Sequence, residues 1–209
     1  MNSHTTMVDG PATRDPVIRV PGCPCPTSGS GIATLGPQGT SSECAGRFLT
    51  RHLAAPQEVH LYGTYEEACA AVLSRRAARL LVANAYHGVC EFYMDRRLAL
   101  ELAFVFDTPE YGIAARAHSP VPLSARVATH PAPEALVKQL LPCGYHVAAV
   151  DHAASTSLAA AWVAGGRADL ALTTQPAAEQ YRLRFISATR PIRMLWSVFI
   201  RQPRTQGES

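Results

Sequence analysis

Ile32-Ala33-Thr34-Leu35-Gly36-Pro37-Gln38-Gly39-Thr40-Ser41-Ser42-Glu43 is the stretch on which the fold turns. Its apolar opening predicts a strand over 32–35, Gly36-Pro37 stops that strand, and Thr40 or Ser41 opens a helix over 40–53. Hydroxyls and backbone N–H groups then gather at a helix start just past the end of a strand, a geometry that receives anions.

The same grammar continues outward. A strand over 59–62 is followed by Thr64, an N-cap with Glu67 three residues later for a reciprocal bond, and a helix reaching about 76. Strands follow over 80–83 and 100–106, and Asp107-Thr108-Pro109-Glu110-Tyr111-Gly112 leads into an extended run at 113–115. A second series then reads strand 126–129, helix 133–141, strand 147–150, helix 155–164, strand 170–172 and a short helix from Pro176 to about Tyr181. After 185–188, a last strand over 194–200 returns to the first unit. This alternation predicts an α/β fold of parallel sheets covered by helices, two units with a cleft between them, and ligands at the carboxyl ends of strands.

Composition bounds the rest. The chain has 209 residues, 47% of them hydrophobic, enough to fill real cores. Its formal charge of +3 comes without a block of Lys or Arg, so neither a nucleic-acid arm nor a membrane patch is expected. Six cysteines, at 23, 25, 44, 69, 90 and 143, show no paired metal-ligand spacing. The polar, Pro/Gly/Ser-rich residues 1–30 read as a flexible leader with no apolar signal region, which points to the cytoplasm; 202–209 read as a flexible tail.

Candidate chemistry lies at strand ends. Thr40, Ser41 and Ser42 open one helix, and Ser155, Thr156 and Ser157 open another in the second unit; facing one cleft, the two would suit a dicarboxylate. Asn84-Ala85-Tyr86-His87-Gly88 and Thr173-Thr174 close two further strands. His87 is a candidate proton donor because imidazole titrates near neutrality, with Glu91 ranked behind it; His130 also ends a strand. Arg116, Arg190 and Arg193 are candidate carboxylate grips.

TLGPQGTSSE at 34–43 and STSLAAAWVAGGRADLALTTQPAAEQYRL at 155–183 resemble the prephenate dehydratase catalytic domain over nearly all of 31–201. GTSSE, Asn84 to Gly88 followed by Phe92-Tyr93-Met94, and Asp107 to Gly112 are more similar to the bacilysin-type prephenate decarboxylases of that superfamily. The resemblance implies a periplasmic-binding-protein type II fold, with one lobe at about 31–107 plus 185–201 and the other at about 108–184. It also implies no metal or organic cofactor, prephenate as the small-molecule partner, pairing into a homodimer, and a place in antibiotic or other specialised-metabolite biosynthesis.

Departures from the dehydratases bear on the reaction. Their Thr-Arg-Phe motif, whose threonine is thought to help expel the ring hydroxyl, is met here by Met194-Leu195-Trp196, and an ungapped match puts Leu195 at the threonine. Non-aromatising decarboxylation of prephenate is therefore expected over dehydration to phenylpyruvate or keto-acid binding without turnover. The expected catalytic residues are His87, Tyr86 and Tyr111. Expected substrate-binding residues are Thr40, Ser41, Ser42, Asn84, Thr108, Arg116, Ser155, Thr156, Ser157, Thr173 and Trp196, with Arg193 as an alternative cation and Leu195, Trp196 and Phe199 as an apolar wall.

Overall fold

Short strands ending in hydroxyl-capped helices recur through the computed structural model, which describes residues 17–21, 23 and 30–202. Strands β1 (Val17–Arg19), β2 (Ile32–Leu35), β3 (Val59–Tyr62), β4 (Arg79–Ala83), β5 (Leu98–Asp107), β6 (Tyr111–Arg116), β7 (Ser124–Thr129), β8 (His146–His152), β9 (Leu170–Thr174), β10 (Leu183–Phe185) and β11 (Arg193–Arg201) form two sheets. The helices are α1 (Ser41–Thr50), α2 (Tyr65–Leu73), α3 (Val89–Met94), α4 (Ala135–Leu140), α5 (Thr156–Ala164) and α6 (Gln175–Gln180). One sheet has the order β1-β5-β11-β4-β2-β3 and the other β10-β6-β9-β7-β8.

Both sheets are mixed, where wholly parallel sheets were expected. β2 runs parallel to β3 and β4, and β7 parallel to β8 and β9, as helical crossovers require. Apart from β1 against β5, the antiparallel pairings belong to strands beside the two inter-lobe crossings: β11 against β4 and β5, and β6 against β9 and β10. The chain crosses after β5 and returns through 186–192, so β10 closes the second sheet.

Each core follows from its sequence. Every residue of β4 is buried, matching a central strand covered on both faces, and its Leu80 and Leu81 share a core with Leu102, Phe104, Trp196 and Phe199. Ile113, Val127, Leu170 and Leu172 fill one side of the second sheet. Where α5 lies on the other side the contact is made by Ala128, Ala159, Ala171 and Val163, small side chains that let helix and sheet approach closely.

Part of the expected leader is structured. Val17–Arg19 adds a strand to the edge of β5, with Val17 opposite Phe104 and Arg19 opposite Leu102, because β5 otherwise presents an unpaired ladder. Most of the rest of 1–30, and 203–209 of the expected tail, lie outside the described residues. The short helix α3 was not expected either; its Phe92 and Tyr93 rest on Phe199 of β11, with ring centroids 6.3 and 4.9 Å apart.

Candidate active site

Three helix starts converge on one cavity of about 290 Å³ at the strand ends between the two sheets: Thr40-Ser41-Ser42 of α1, Thr64-Tyr65 of α2 and Ser155-Thr156 of α5. Thr40 Oγ1 accepts from Glu43 N at 3.3 Å, Thr64 Oγ1 from Glu67 N at 3.0 Å, and Ser155 Oγ from Leu158 N at 3.0 Å. The carboxylates of Glu43 and Glu67 reach back to the N–H groups of Gly39 and Gly63. The other first-turn N–H groups have no intrahelical acceptor, and with the positive helix ends they favour negative charge in the cavity.

The seam between the lobes is stitched at the loop between β2 and α1. Thr174 Oγ1 donates to Gly39 O at 2.7 Å, Ser157 Oγ donates to Gln38 O at 3.0 Å, and the hydroxyls of Ser41 and Tyr111 lie 2.8 Å apart. Gly39 has φ +84, and a Cβ there would stand 3.3 Å from the backbone of Ala177 in α6, so the approach requires glycine. Burial pushes the Tyr111 phenol up, against its bonds with Ser41 and Thr156.

The first-lobe wall carries two more phenols. Tyr65 OH bonds Ser42 Oγ at 2.9 Å and accepts from Ala83 N at 3.3 Å; burial pushes it up to about 12 despite those bonds. Tyr86 OH donates to Glu66 Oε1 at 2.5 Å, and burial together with that carboxylate raises the phenol to about 12. Burial opposes ionisation of Glu66, but hydrogen bonds from Tyr86, its own N–H and Thr64, with the charge of His87, hold its carboxyl below its ordinary value.

His130 faces the cavity from the end of β7. Burial first, and the charges of His87 and His152 second, push it below its ordinary 6.5, so the ring is neutral at pH 7. Nδ1 accepts from Ala132 N at 3.1 Å, which selects the tautomer with the proton on Nε2. Leu35, Ala83, Ala85, Ile192, Met194 and Trp196 supply the apolar part of the lining. Among the described residues no cluster of His, Cys, Asp and Glu could hold a metal ion, and no helix is long and apolar enough to cross a membrane.

Comparison with known proteins gives this arrangement a family. A prephenate decarboxylase of Planktothrix agardhii (strain NIVA-CYA 126/8) is 38% identical over 174 residues, covering 80% of this chain and 86% of the relative. One of Bacillus subtilis (strain 168) is 33% identical over 176 residues, covering 80% and 85%. The chain belongs to the prephenate decarboxylase family. No family model matches it. Among solved structures, the prephenate dehydratase of Arthrobacter aurescens in complex with L-Phe superposes with a TM-score of 0.63 at 18% identity, over 86% of this chain and 63% of that one. The dehydratase of Staphylococcus aureus subsp. aureus Mu50 gives 0.57 at 14% identity, over 83% and 67%. The periplasmic VFT2 domain of Bordetella pertussis BvgS gives 0.50 at 19% identity, over 82% of this chain and 80% of that one. The shared architecture is the two-lobed α/β fold of the type II periplasmic binding proteins.

Within this family member, strand alternation corrects the reading of β11. Met194 and Trp196 line the cavity, while Leu195, 43% exposed, points to the opposite face. Phe199, expected in the wall, is packed in the core against Phe92 and Tyr93. The side chain that ends up beside the cavity is thus the thioether of Met194, which has no proton to give to a leaving hydroxide.

Of the sequence-expected residues, the cavity collects Thr40, Ser41, Ser42, Tyr86, Tyr111, Ser155, Thr156 and Trp196, and six lie elsewhere. Arg116 is no carboxylate grip: its Nη1 donates to the carbonyls of Val163 at 2.7 Å and Ala168 at 3.4 Å. Thr108 braces the crossings, donating to Pro109 O at 3.0 Å and accepting from Ile192 N at 2.9 Å. Ser157 and Thr173 bond the backbone at Gln38 and Thr156. Asn84 is turned to the other face of the sheet, where Oδ1 accepts from Ser197 Oγ at 2.8 Å and Nδ2 donates to Tyr93 OH at 3.3 Å. His87 is exposed, its ring centroid 4.6 Å from that of Tyr86. Arg193 is paired with Asp107 at 2.9 Å on the surface, and no arginine among the described residues lines the cavity.

Tyr65, Glu66 and Met194 were not expected at the site, and His130, which the sequence places at the end of a strand, lines it. The signal for the first two was present: Val59 to Thr64 repeats the strand, glycine and hydroxyl pattern of Ile32 to Thr40. Thr64, legible in the sequence as a cap, also opens a third anion-receptive helix start.

Proposed function

We propose that this protein decarboxylates prephenate without aromatising it, giving dihydro-4-hydroxyphenylpyruvate and carbon dioxide. The observation that carries this reading is the cavity itself, lined by three helix N-termini from the two lobes and by Met194 and Trp196 of β11. Prephenate brings two carboxylates, a keto group and a ring hydroxyl. The helix starts at Thr40-Ser41-Ser42, Thr64-Tyr65 and Ser155-Thr156 hold the pyruvyl end, which fits a cavity that no arginine among the described residues lines.

The ring carboxylate lies toward the apolar wall, where poor solvation favours neutral carbon dioxide over the carboxylate. As its carbon–carbon bond breaks, the electron pair passes into the ring diene and a ring carbon takes one proton. Tyr86, lining the cavity, supplies it. A phenol near 12 is still far more acidic than the C–H bond it makes, yet it is a poor acid for expelling hydroxide. The ring hydroxyl therefore stays. A cytoplasmic location suits the free thiols of Cys44, Cys69, Cys90 and Cys143.

Purified protein incubated with prephenate should release carbon dioxide and yield a keto acid whose mass retains the ring hydroxyl, without the absorbance of phenylpyruvate. Phenylpyruvate as the main product would replace this reading with dehydration, and prephenate recovered intact would replace it with binding alone.

A further inference from the structure

Among the described residues, one buried side-chain nitrogen or oxygen has no hydrogen-bond partner: Nε1 of Trp196. The residue is fully buried on β11 between Ala83 of β4 and Phe104 of β5, and it lines the cavity. Other cavity hydroxyls are paired: Ser42 with Tyr65, Ser41 with Tyr111, and Tyr86 with Glu66. Folded proteins rarely leave a buried donor unanswered, and an orphan in a ligand cavity marks a place where the ligand supplies the acceptor.

We propose that the Trp196 indole N–H donates a hydrogen bond to the ring hydroxyl of the substrate, making Trp196 the residue that recognises that oxygen. This rests on the decarboxylase reading of the cavity and adds the group that reads the ring. The choice of oxygen follows from charge. Carboxylates are best met by several donors with net positive potential, and those are the helix starts. A single neutral donor, on a residue paired with Ala83 in a cavity that Ala85 and Met194 also line, matches a single neutral acceptor. Indole is also a donor that does not give up its proton, so it holds the alcohol without turning it into a leaving group. Recognition and retention of the hydroxyl would then come from the same bond.

The chain has two tryptophans, so its 15N spectrum holds two indole N–H signals, assigned with Trp162→Phe. Trp162 lies under the guanidinium of Arg167, 3.6 Å from its ring centroid, and serves as the reference. Two probes that the enzyme leaves intact are titrated: dihydro-4-hydroxyphenylpyruvate, and the same keto acid without the ring hydroxyl. The Trp196 proton should move downfield with the first probe and not with the second, while the Trp162 signal stays in place. Trp196→Phe should bind the hydroxylated probe about tenfold more weakly and the deoxy probe within about twofold of the parent protein.

Equal shifts with both probes, or equal weakening of both by Trp196→Phe, would overturn the assignment. Should Trp196→Phe fail to fold, the two titrations of the parent protein decide alone. Mass analysis of prephenate turnover on the parent protein tests the decarboxylase reading separately, so a wrong reaction and a wrong hydrogen bond give different results.

Discussion

The hydroxyl of Ser41, in the first turn of α1, lies 2.8 Å from the hydroxyl of Tyr111, the first residue of β6, so a helix start in one lobe is bonded to a strand of the other. Close beside it Gly39 O accepts from Thr174 and Gln38 O from Ser157. The loop that presents N–H groups to an anion is therefore the loop that holds the lobes together. The lining of the cavity and the bonds between the lobes draw on one stretch of chain.

Tyr111→Phe keeps the ring and deletes the bridge, leaving Ser41 Oγ buried without this partner. Stability should fall by about 1 kcal/mol, read as a melting point lower by about 2–4 °C. In a double-mutant cycle with Ser41→Ala the two changes should couple by about 0.5 kcal/mol or more. Strict additivity in the melts would mean the hydroxyls do not interact in solution.

Tyr86 and His87 are adjacent in sequence and differ in placement. Tyr86 lines the cavity and donates to Glu66, whereas His87 is exposed behind it. Tyr86→Phe should lower kcat by about 10²–10⁴-fold with substrate binding retained, and His87→Ala should stay within a few-fold. Steady-state kinetics on both variants checks this. The reverse ranking would return the proton-donor role to the imidazole.

What the sequence disclosed was local, and what it withheld depended on a partner. Thr40, Thr64 and Ser155 could be read as caps because their acceptor and donor groups lie within four residues. β3 and the centre of β4 were legible as short apolar runs ended by turn residues. Arg116 was misplaced because the carbonyls it serves, at Val163 and Ala168, come from the far side of the second sheet. Leu195 was misplaced because a strand's facing is set by its neighbours, and a shift of one residue exchanges Leu195 for Met194 or Trp196 at the cavity. Val17–Arg19 is too short to be seen without the β5 edge that it pairs with.

Arg79 and Glu101 form a bidentate pair, both bonds 2.7 Å, across the buried middle of the first sheet. Their side chains are 10% and 6% exposed. Glu101→Ala would strand the guanidinium out of water and should cost about 3–5 kcal/mol in urea unfolding, while replacing both residues with apolar ones of similar size should cost much less. Activity per folded molecule should be unchanged, since neither residue lines the cavity. A Glu101→Ala protein as stable as the parent would show that Arg79 finds solvent or another partner.

Alkaline unfolding tests the buried phenols, and its sign follows from linkage. Tyr65 and Tyr86 titrate near 12 in the folded chain against an ordinary value of 10.0. Between those values the unfolded chain has released protons that the folded chain keeps, so the unfolded state binds fewer and stability falls as pH rises. The stabilising effect is complete below about pH 10 and disappears by about 12. Urea unfolding from pH 8 to 11.5 should show that decline. Tyr65→Phe should be less stable than the parent at pH 8, because Ser42 and the Ala83 N–H lose their partner. It should also lose less with rising pH, by close to one proton in the linkage slope. A parent protein whose stability stays level to pH 11.5, or a Tyr65→Phe slope equal to the parent's, would mean that this phenol ionises as freely in the folded chain as in the unfolded one.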